Sequence, residues 1–181
     1  RGLDFMVKHG IKGIIGGGVA EGGAMDRVVE AWRDALARGG RESELGEDLS
    51  IGFHYYIADT QEKAIKEAAK YFEENLKMFG QLRLVQSLTD KQIEDMSDPK
   101  RAPYADLPTL EGAVKAGAVL CGSPEQIIES LMALEDKYPG LQRVSMSQPI
   151  GTPSKVMLHQ LEWLASDVLP AFTGRAASPA T

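Results

Sequence analysis

The sequence predicts an α/β fold with parallel strands. Three observations carry this: short apolar runs recur along the chain, a stretch with helical spacing follows each of them, and helix-capping signals mark several of the junctions. Strands separated by helices imply parallel pairing with right-handed crossovers.

Residues 1–9 (RGLDFMVKH) read as a helix with Leu3, Met6 and Val7 on one face, closed by Gly10. Residues 11–16 (IKGIIG) are a short apolar run between glycines, which suits a buried strand. Met25, Val28, Val29, Trp32, Ala35 and Leu36 then recur at helical spacing until Gly39 and Gly40 stop them. Residues 49–57 (LSIGFHYYI) are a second strand, rich in aromatic and β-branched side chains. Residues 59–62 (DTQE) have the form of a capping box with Asp59 as the cap. They open a helix to about Phe79 whose apolar face is Ala64, Ile65, Ala68, Tyr71, Phe72 and Leu76.

Residues 80–117 break the rhythm with Pro99, Pro103, Pro108 and the charged run DKQIEDMSDPKR. A short helix fits residues 89–96, and the whole segment reads as a functional loop, a lid or a disordered insertion. Residues 118–121 are a short apolar stretch. Ser123, Pro124 and Gln126 form a capping box with proline at N1, opening a helix over 124–138 that turns Ile127, Ile128, Leu131 and Leu134 inward. Residues 141–147 (LQRVSMS) are a third strand of alternating character. Thr152 and Pro153 cap a last helix to about Phe172, with Val156, Leu161, Leu164, Ala165, Val168 and Leu169 as its core stripe. Residues 173–181 are small and polar and read as a disordered tail.

The length of 181 residues fits one domain, and 43% hydrophobic with 25% charged residues is an ordinary globular composition. A net charge of −6 without a basic stripe argues against nucleic acid and against an anionic membrane surface. No apolar run reaches the roughly 18 residues of a membrane span. The single cysteine, Cys121, and the lack of a signal peptide at the front point to a reducing, cytoplasmic setting.

Three strands do not close a barrel, and an open three-stranded sheet leaves two long apolar edges. The chain is therefore either a small self-sufficient α/β domain or the last part of a (β/α)8 TIM barrel. The start at Arg1, within a helix and without an initiator Met, favours the second. The missing N-terminal half of the barrel, or a dimer mate, would then cover the open edges.

The stretch 112–172 contains a GSPEQI helix start, a strand after that helix, a G-x-P step and a closing VLPAF. In these features it resembles the C-terminal part of the bacterial luciferase-like monooxygenase family. DLSIGFHYYIADTQEKAIKEA (48–68) resembles that family's penultimate strand and following helix, and IKGIIGGGVAEGG (11–23) the strand before. The resemblance implies a (β/α)8 barrel that binds reduced FMN, or coenzyme F420 in some branches, at its C-terminal mouth. In the flavin branch it implies cleavage of dioxygen and transfer of one oxygen atom to a small organic substrate, with a separate flavin reductase as supplier. It also implies that residues 1–172 are a partial barrel, inactive alone, with 80–117 as an insertion. F420-dependent hydride transfer, and a non-catalytic partial barrel that only dimerises, stand as alternatives.

His54 is the leading candidate for chemistry. The resemblance puts it where some members carry a histidine near the flavin, although others have an arginine where this chain has Gly52. Alternation places Gly52, His54 and Tyr56 on one face and Phe53, Tyr55 and Ile57 on the other. An imidazole on a barrel's inner face can hydrogen-bond the cofactor or act as a general base; a buried histidine satisfied by its neighbours is the competing reading. Tyr56, on the same face, is a candidate substrate contact.

Gly16, Gly17 and Gly18 end a strand ahead of a helix, where backbone amides can approach a phosphate; a flexible turn is the plainer reading. Ser147 and Gln148 end the last strand and are candidate cofactor contacts. Lys100 and Arg101 lie in the insertion, where a basic side chain on a lid can grip an anion, against a plain solvated charge run. His9 and His159 read as surface residues, Cys121 as a structural thiol, and the three histidines lack the spacing of metal ligands.

Overall fold

The computed structural model describes residues 1–17, 23–85 and 88–173, and in it four parallel strands gather on one of their number. In chain order the elements are α1 (Gly2–Lys8), β1 (Gly13–Gly16), α2 (Ala24–Arg38), β2 (Leu49–Ile57), α3 (Gln61–Gln81), α4 (Asp90–Ser97), α5 (Leu110–Lys115), β3 (Val119–Gly122), α6 (Pro124–Lys137), β4 (Arg143–Ser147) and α7 (Ser154–Trp163). β2 pairs with all three other strands. Gly16 and Ser145 both lie opposite Gly52, while Val119 and Ser147 both lie opposite His54. A strand has two edges, so β4 holds one edge and β1 and β3 share the other, end to end. This is why residues 118–121, four apolar residues without a pattern of their own, form a fourth strand: β2 runs past the end of β1 and offers them its free edge.

The two faces of the sheet are covered differently. Ile15, Leu49, Ile51 and Phe53 pack against α1, α2 and α6 around Val29, Trp32 and Leu36. Tyr55 and Ile57, on the same face, pack against Ile127 of α6 and against Leu164 and Val168 beyond α7. The opposite face is covered only at its C-terminal end, where Tyr56, Val119 and Cys121 meet Ala64, Ala68, Phe72 and Leu76 of α3 and Leu110 of α5.

That arrangement corrects the expected order of strand-plus-helix units. The helix that follows β2 in sequence, α3, does not make the crossover to the next strand. α6 does, lying on the same face as α2, as successive right-handed crossovers require when the order β1, β2, β4 steps one way across the sheet. Residues 58–122 form an excursion that returns to the sheet as β3. Its middle, expected to be irregular apart from one short helix, holds α4, a 3-10 turn at Ala102–Tyr104, and α5. Thr89 and Thr109 accept from the Gln92 and Gly112 amides and so fix the starts of α4 and α5.

Local signals held to within a residue or two. Ser123 and Gln126 form both bonds of the expected capping box. The cap of α3 is Thr60, which accepts from the Lys63 amide at 3.2 Å, while Asp59 pairs with the Lys63 ammonium at 2.6 Å. Pro153, not Thr152, is the N-cap of α7, and the Thr152 hydroxyl donates to the Pro149 carbonyl. The last helix does not run evenly to Phe172: it widens into a π turn at Leu164–Val168 and tightens to a 3-10 turn at Leu169–Ala171 around Pro170, which has no N–H to continue the ladder. Of its expected core stripe Leu164 and Val168 are buried, but Leu161 and Leu169 are about half exposed, at 52% and 48%. Of the expected tail only Thr173 lies among the described residues.

Beyond the end of β4 the edge of β2 is closed by side chains. The Gln160 amide accepts from the Ile57 N–H at 2.6 Å and donates to the Ile57 carbonyl at 2.8 Å, with 1% of the residue exposed. Gln148 Nε2 donates to the Tyr55 carbonyl at 2.9 Å. Two glutamines thus stand in for a strand. Gln160→Leu keeps the volume but orphans a buried N–H and a buried C=O, so a loss of roughly 2–5 kcal/mol is expected in urea unfolding. A change below about 1 kcal/mol would show that the clamp is dispensable.

Candidate functional site

Among the described residues, the uncovered part of the second face presents polar and glycine residues of the sheet to open space. Ile14 and Gly16 of β1, Ser50, Gly52 and His54 of β2, and Arg143, Ser145 and Ser147 of β4 share it by register. Gly16 and Gly52 are direct partners. A Cβ built on Gly16 meets nothing within 4 Å, and one on Gly52 meets nothing nearer than 3.8 Å. Together they make a side-chain-free floor, flanked by Ile14, which is 84% exposed, and by His54 and Ser145.

At the C-terminal rim of this floor the Ser147 hydroxyl lies 3.1 Å from His54 Nδ1. Burial holds the His54 imidazole below its ordinary titration range, and the Ser147 main chain partly offsets this. The ring is therefore neutral at neutral pH. Gln148 follows directly; its Nε2 is spent on Tyr55, and its Oε1 is buried without a partner.

The other expected contacts fall elsewhere. Tyr56 shares the face of His54, as alternation predicts, but α3 covers it to 7% exposure, and its hydroxyl donates to the Glu67 carboxylate at 3.2 Å. Burial, with that carboxylate next to it, raises the phenol to about 12, so it stays a donor to Glu67 and is closed to substrate. Gly17 is explained by packing: a Cβ there would stand 2.8 Å from the Gly52 carbonyl and 2.9 Å from that of Ala118, where β1 gives way to β3. Gly18 lies outside the described residues. Cys121 is buried in the contact with α3, and burial pushes its thiol to about 12, far from a reactive thiolate. Sequence reasoning missed Ser145, although the alternation of residues 141–147 carried the signal. It also missed Gln160, for which no local signal exists.

A family model described as luciferase-like monooxygenase matches residues 1–139. The chain belongs to that family. No curated protein matches it. Solved structures with a similar fold include monooxygenase RslO1 from Streptomyces bottropensis, at 16% identity and a TM-score of 0.57, covering 94% of this chain and 44% of that one. The oxygenating constituent of 3,6-diketocamphane monooxygenase from Pseudomonas putida, in complex with FMN, follows at 18% identity and a TM-score of 0.58, covering 93% and 45%. The coenzyme F420-dependent tetrahydromethanopterin reductase of Methanopyrus kandleri stands at 16% and 0.57, covering 94% and 48%. The luciferase-like chain thus spans less than half the length of these structures, and at such identities the likeness is one of fold. No described helix is long and apolar enough to cross a membrane.

Of the two basic residues singled out in the insertion, Arg101 has structural work in this luciferase-like chain. Arg101 reaches Asp95 at 2.9 Å and Asp98 at 3.0 Å, and the Asp95 side chain is only 6% exposed. The Lys100 side chain is exposed, while its backbone N–H donates to Asp98. Arg101→Ala leaves Asp95 with Lys91 alone, so a loss of about 1–2 kcal/mol and faster proteolysis within residues 82–108 are expected. Lys100→Ala should change stability by less than about 0.5 kcal/mol. Equal effects of the two would return Arg101 to the solvated charge run.

Proposed function

We propose that this chain is the C-terminal part of a (β/α)8 barrel whose enzyme is a flavin-dependent monooxygenase, with the open sheet face as its share of the active site. Support for the barrel comes from strands that step one way while α2 and α6 stay on one face, a singly wound pattern. In this reading the upstream half of the barrel pairs with the outer edges of β1 and β4 and covers Leu158, Leu161 and Leu169, an exposed apolar stripe along the last helix. The single observation that carries the functional reading is His54 at the rim of a floor made of Gly16 and Gly52.

These residues fit part of a flat ring system: a floor without Cβ atoms and a neutral imidazole at one rim. Reduced FMN, supplied by a separate flavin reductase, would provide the electrons that activate dioxygen. The residues of this chain hold and orient: Gly16 and Gly52 allow close approach, His54 hydrogen-bonds or takes a proton from the reacting group, and α3 walls the mouth against water. The phosphate-holding residues are assigned to the upstream half. The enzyme is expected in the cytoplasm and its substrate is a small organic molecule.

A native mass spectrum of the protein from its own cells, taken after addition of FMN, tests this reading. The expected species is heavier than 19.6 kDa, carries a complementary polypeptide, and holds one flavin per barrel. A bare chain or bare multiple without flavin would leave the non-catalytic partial barrel. Binding of reduced F420 in preference to reduced FMN, read by fluorescence quenching, would move the assignment to hydride transfer.

A further inference from the structure

We propose that Arg143, the first residue of β4, is the docking point of the open face: its guanidinium pairs with a carboxylate on an inward-facing position of the upstream half of the barrel. This rests on the reading of the chain as part of a barrel. It adds which side chain meets the other half and what chemistry that half must bring.

Arg143 lies opposite Ser50, level with Ile14 of β1. Val144 and Met146 turn to the helices, so alternation sends Arg143, Ser145 and Ser147 to the other face. Arg143 is exposed there, and its side chain makes no hydrogen bond, ion pair or ring contact with any described residue. The rest of the uncovered face is glycine, serine, isoleucine and a neutral histidine, so among the described residues the guanidinium is its only formal charge. The carboxylate just before β2, Asp48, is already held by Lys12 and by Arg41, each at 2.8 Å.

An unpartnered guanidinium costs little on an open face and much in an interior. The inside of a closed (β/α)8 barrel is filled by side chains. Closing the barrel over this face takes Arg143 out of water, and a buried cation left unpaired is strongly unfavourable. Its planar fork of N–H donors matches a carboxylate in two parallel bonds. Three occupants of the face differ in what they bring. A second copy of this chain brings another arginine and no carboxylate on the same face, so like charges would meet inside. An anionic ligand belongs at the C-terminal mouth, whereas Arg143 lies four residues from the level of His54, about 13 Å towards the N-terminal end. The upstream half satisfies both conditions, and this chain spans less than half the length of solved structures that share its fold. An aspartate or glutamate facing inward near the N-terminal end of one of its strands completes the pair.

The test is carbodiimide cross-linking of the protein recovered from its own cells with Arg143→Lys in place. The reagent joins an amine to a carboxylate in contact with it, and peptide mass spectrometry reads the product. The expected link runs from position 143 to an aspartate or glutamate outside residues 1–181, and it is absent from the native protein and from Arg143→Gln. Arg143→Gln should also weaken the association with the complementary polypeptide on the order of a hundredfold, read by native mass spectrometry over a dilution series. Arg143→Lys should keep part of that affinity. A link only to carboxylates of residues 1–181, in the same or in a second copy, or no link at all, overturns the proposal. So does an Arg143→Gln complex as tight as the native one. Neither readout uses flavin: a linked complex that binds no flavin sinks the cofactor reading and leaves the pair standing, while a flavin-bound complex without the link sinks the pair alone.

Discussion

Everything in this molecule leans on the pairing of β2 along both of its edges. Three strands and two glutamine side chains share the hydrogen-bonding groups of one nine-residue strand. Its outward groups at the N-terminal half meet β1 and β4, and at the C-terminal half they meet β3, Gln148 and Gln160. An unpaired buried backbone group costs on the order of 1–3 kcal/mol, so a strand this buried tolerates no gap. The need to close each position explains β3, which would otherwise be an unremarkable tetrapeptide, and it explains why a helix as apolar as α7 carries a fully buried glutamine.

The same constraint shapes the site. Because β3 takes over where β1 stops, the excursion that carries it returns to the sheet directly beside His54, and α3 is drawn across the C-terminal end of the second face. The consequence is a boundary along β2: Tyr56 is roofed over and bonded to Glu67, while two residues earlier His54 stands at an open rim beside Ser147. The excursion that leaves the sheet after β2 is tied to the rest of the fold at two places. One is β3 in the sheet. The other is Asn75 of α3, whose side chain accepts from the Ile150 amide in the loop after β4. Arg101 belongs to the folding of that excursion through Asp95 and Asp98, while the Lys100 side chain stays exposed.

What the sequence made legible was what neighbours in the chain decide. The cap at Ser123, the glycine stop after α2, and the alternation in β2 and β4 are local, and they put His54 on one face of its strand; that Ser147 stands beside it is a matter of register between strands. What stayed hidden depends on distant partners. The apolar stripe of α3 reveals which side of the helix is buried but not which face of the sheet it lies against. Leu161 and Leu169 are as apolar as Leu164 and Val168, yet only the latter pair meets Tyr55 and Ile57. Gly16, Gly17 and Gly52 look alike in sequence. Yet Gly17 is required by the approach of two backbone carbonyls, while Gly16 and Gly52 border open space. The family resemblance was legible too, spread over many positions, and the match over residues 1–139 bears it out.

The most direct test of this account is native-state amide hydrogen exchange along β2. The Ala58 N–H donates to the Gly122 carbonyl of β3, and the Ile57 N–H to Gln160, so the two report on opposite edges. If β3 is an integral strand, Ala58 and the β3 amides exchange as slowly as Ile57 does, near the limit set by global unfolding. If Ala58 and the β3 amides exchange at loop rates while Ile57 stays protected, the excursion is a loose flap, and both the walled site and the shared edge of β2 are wrong.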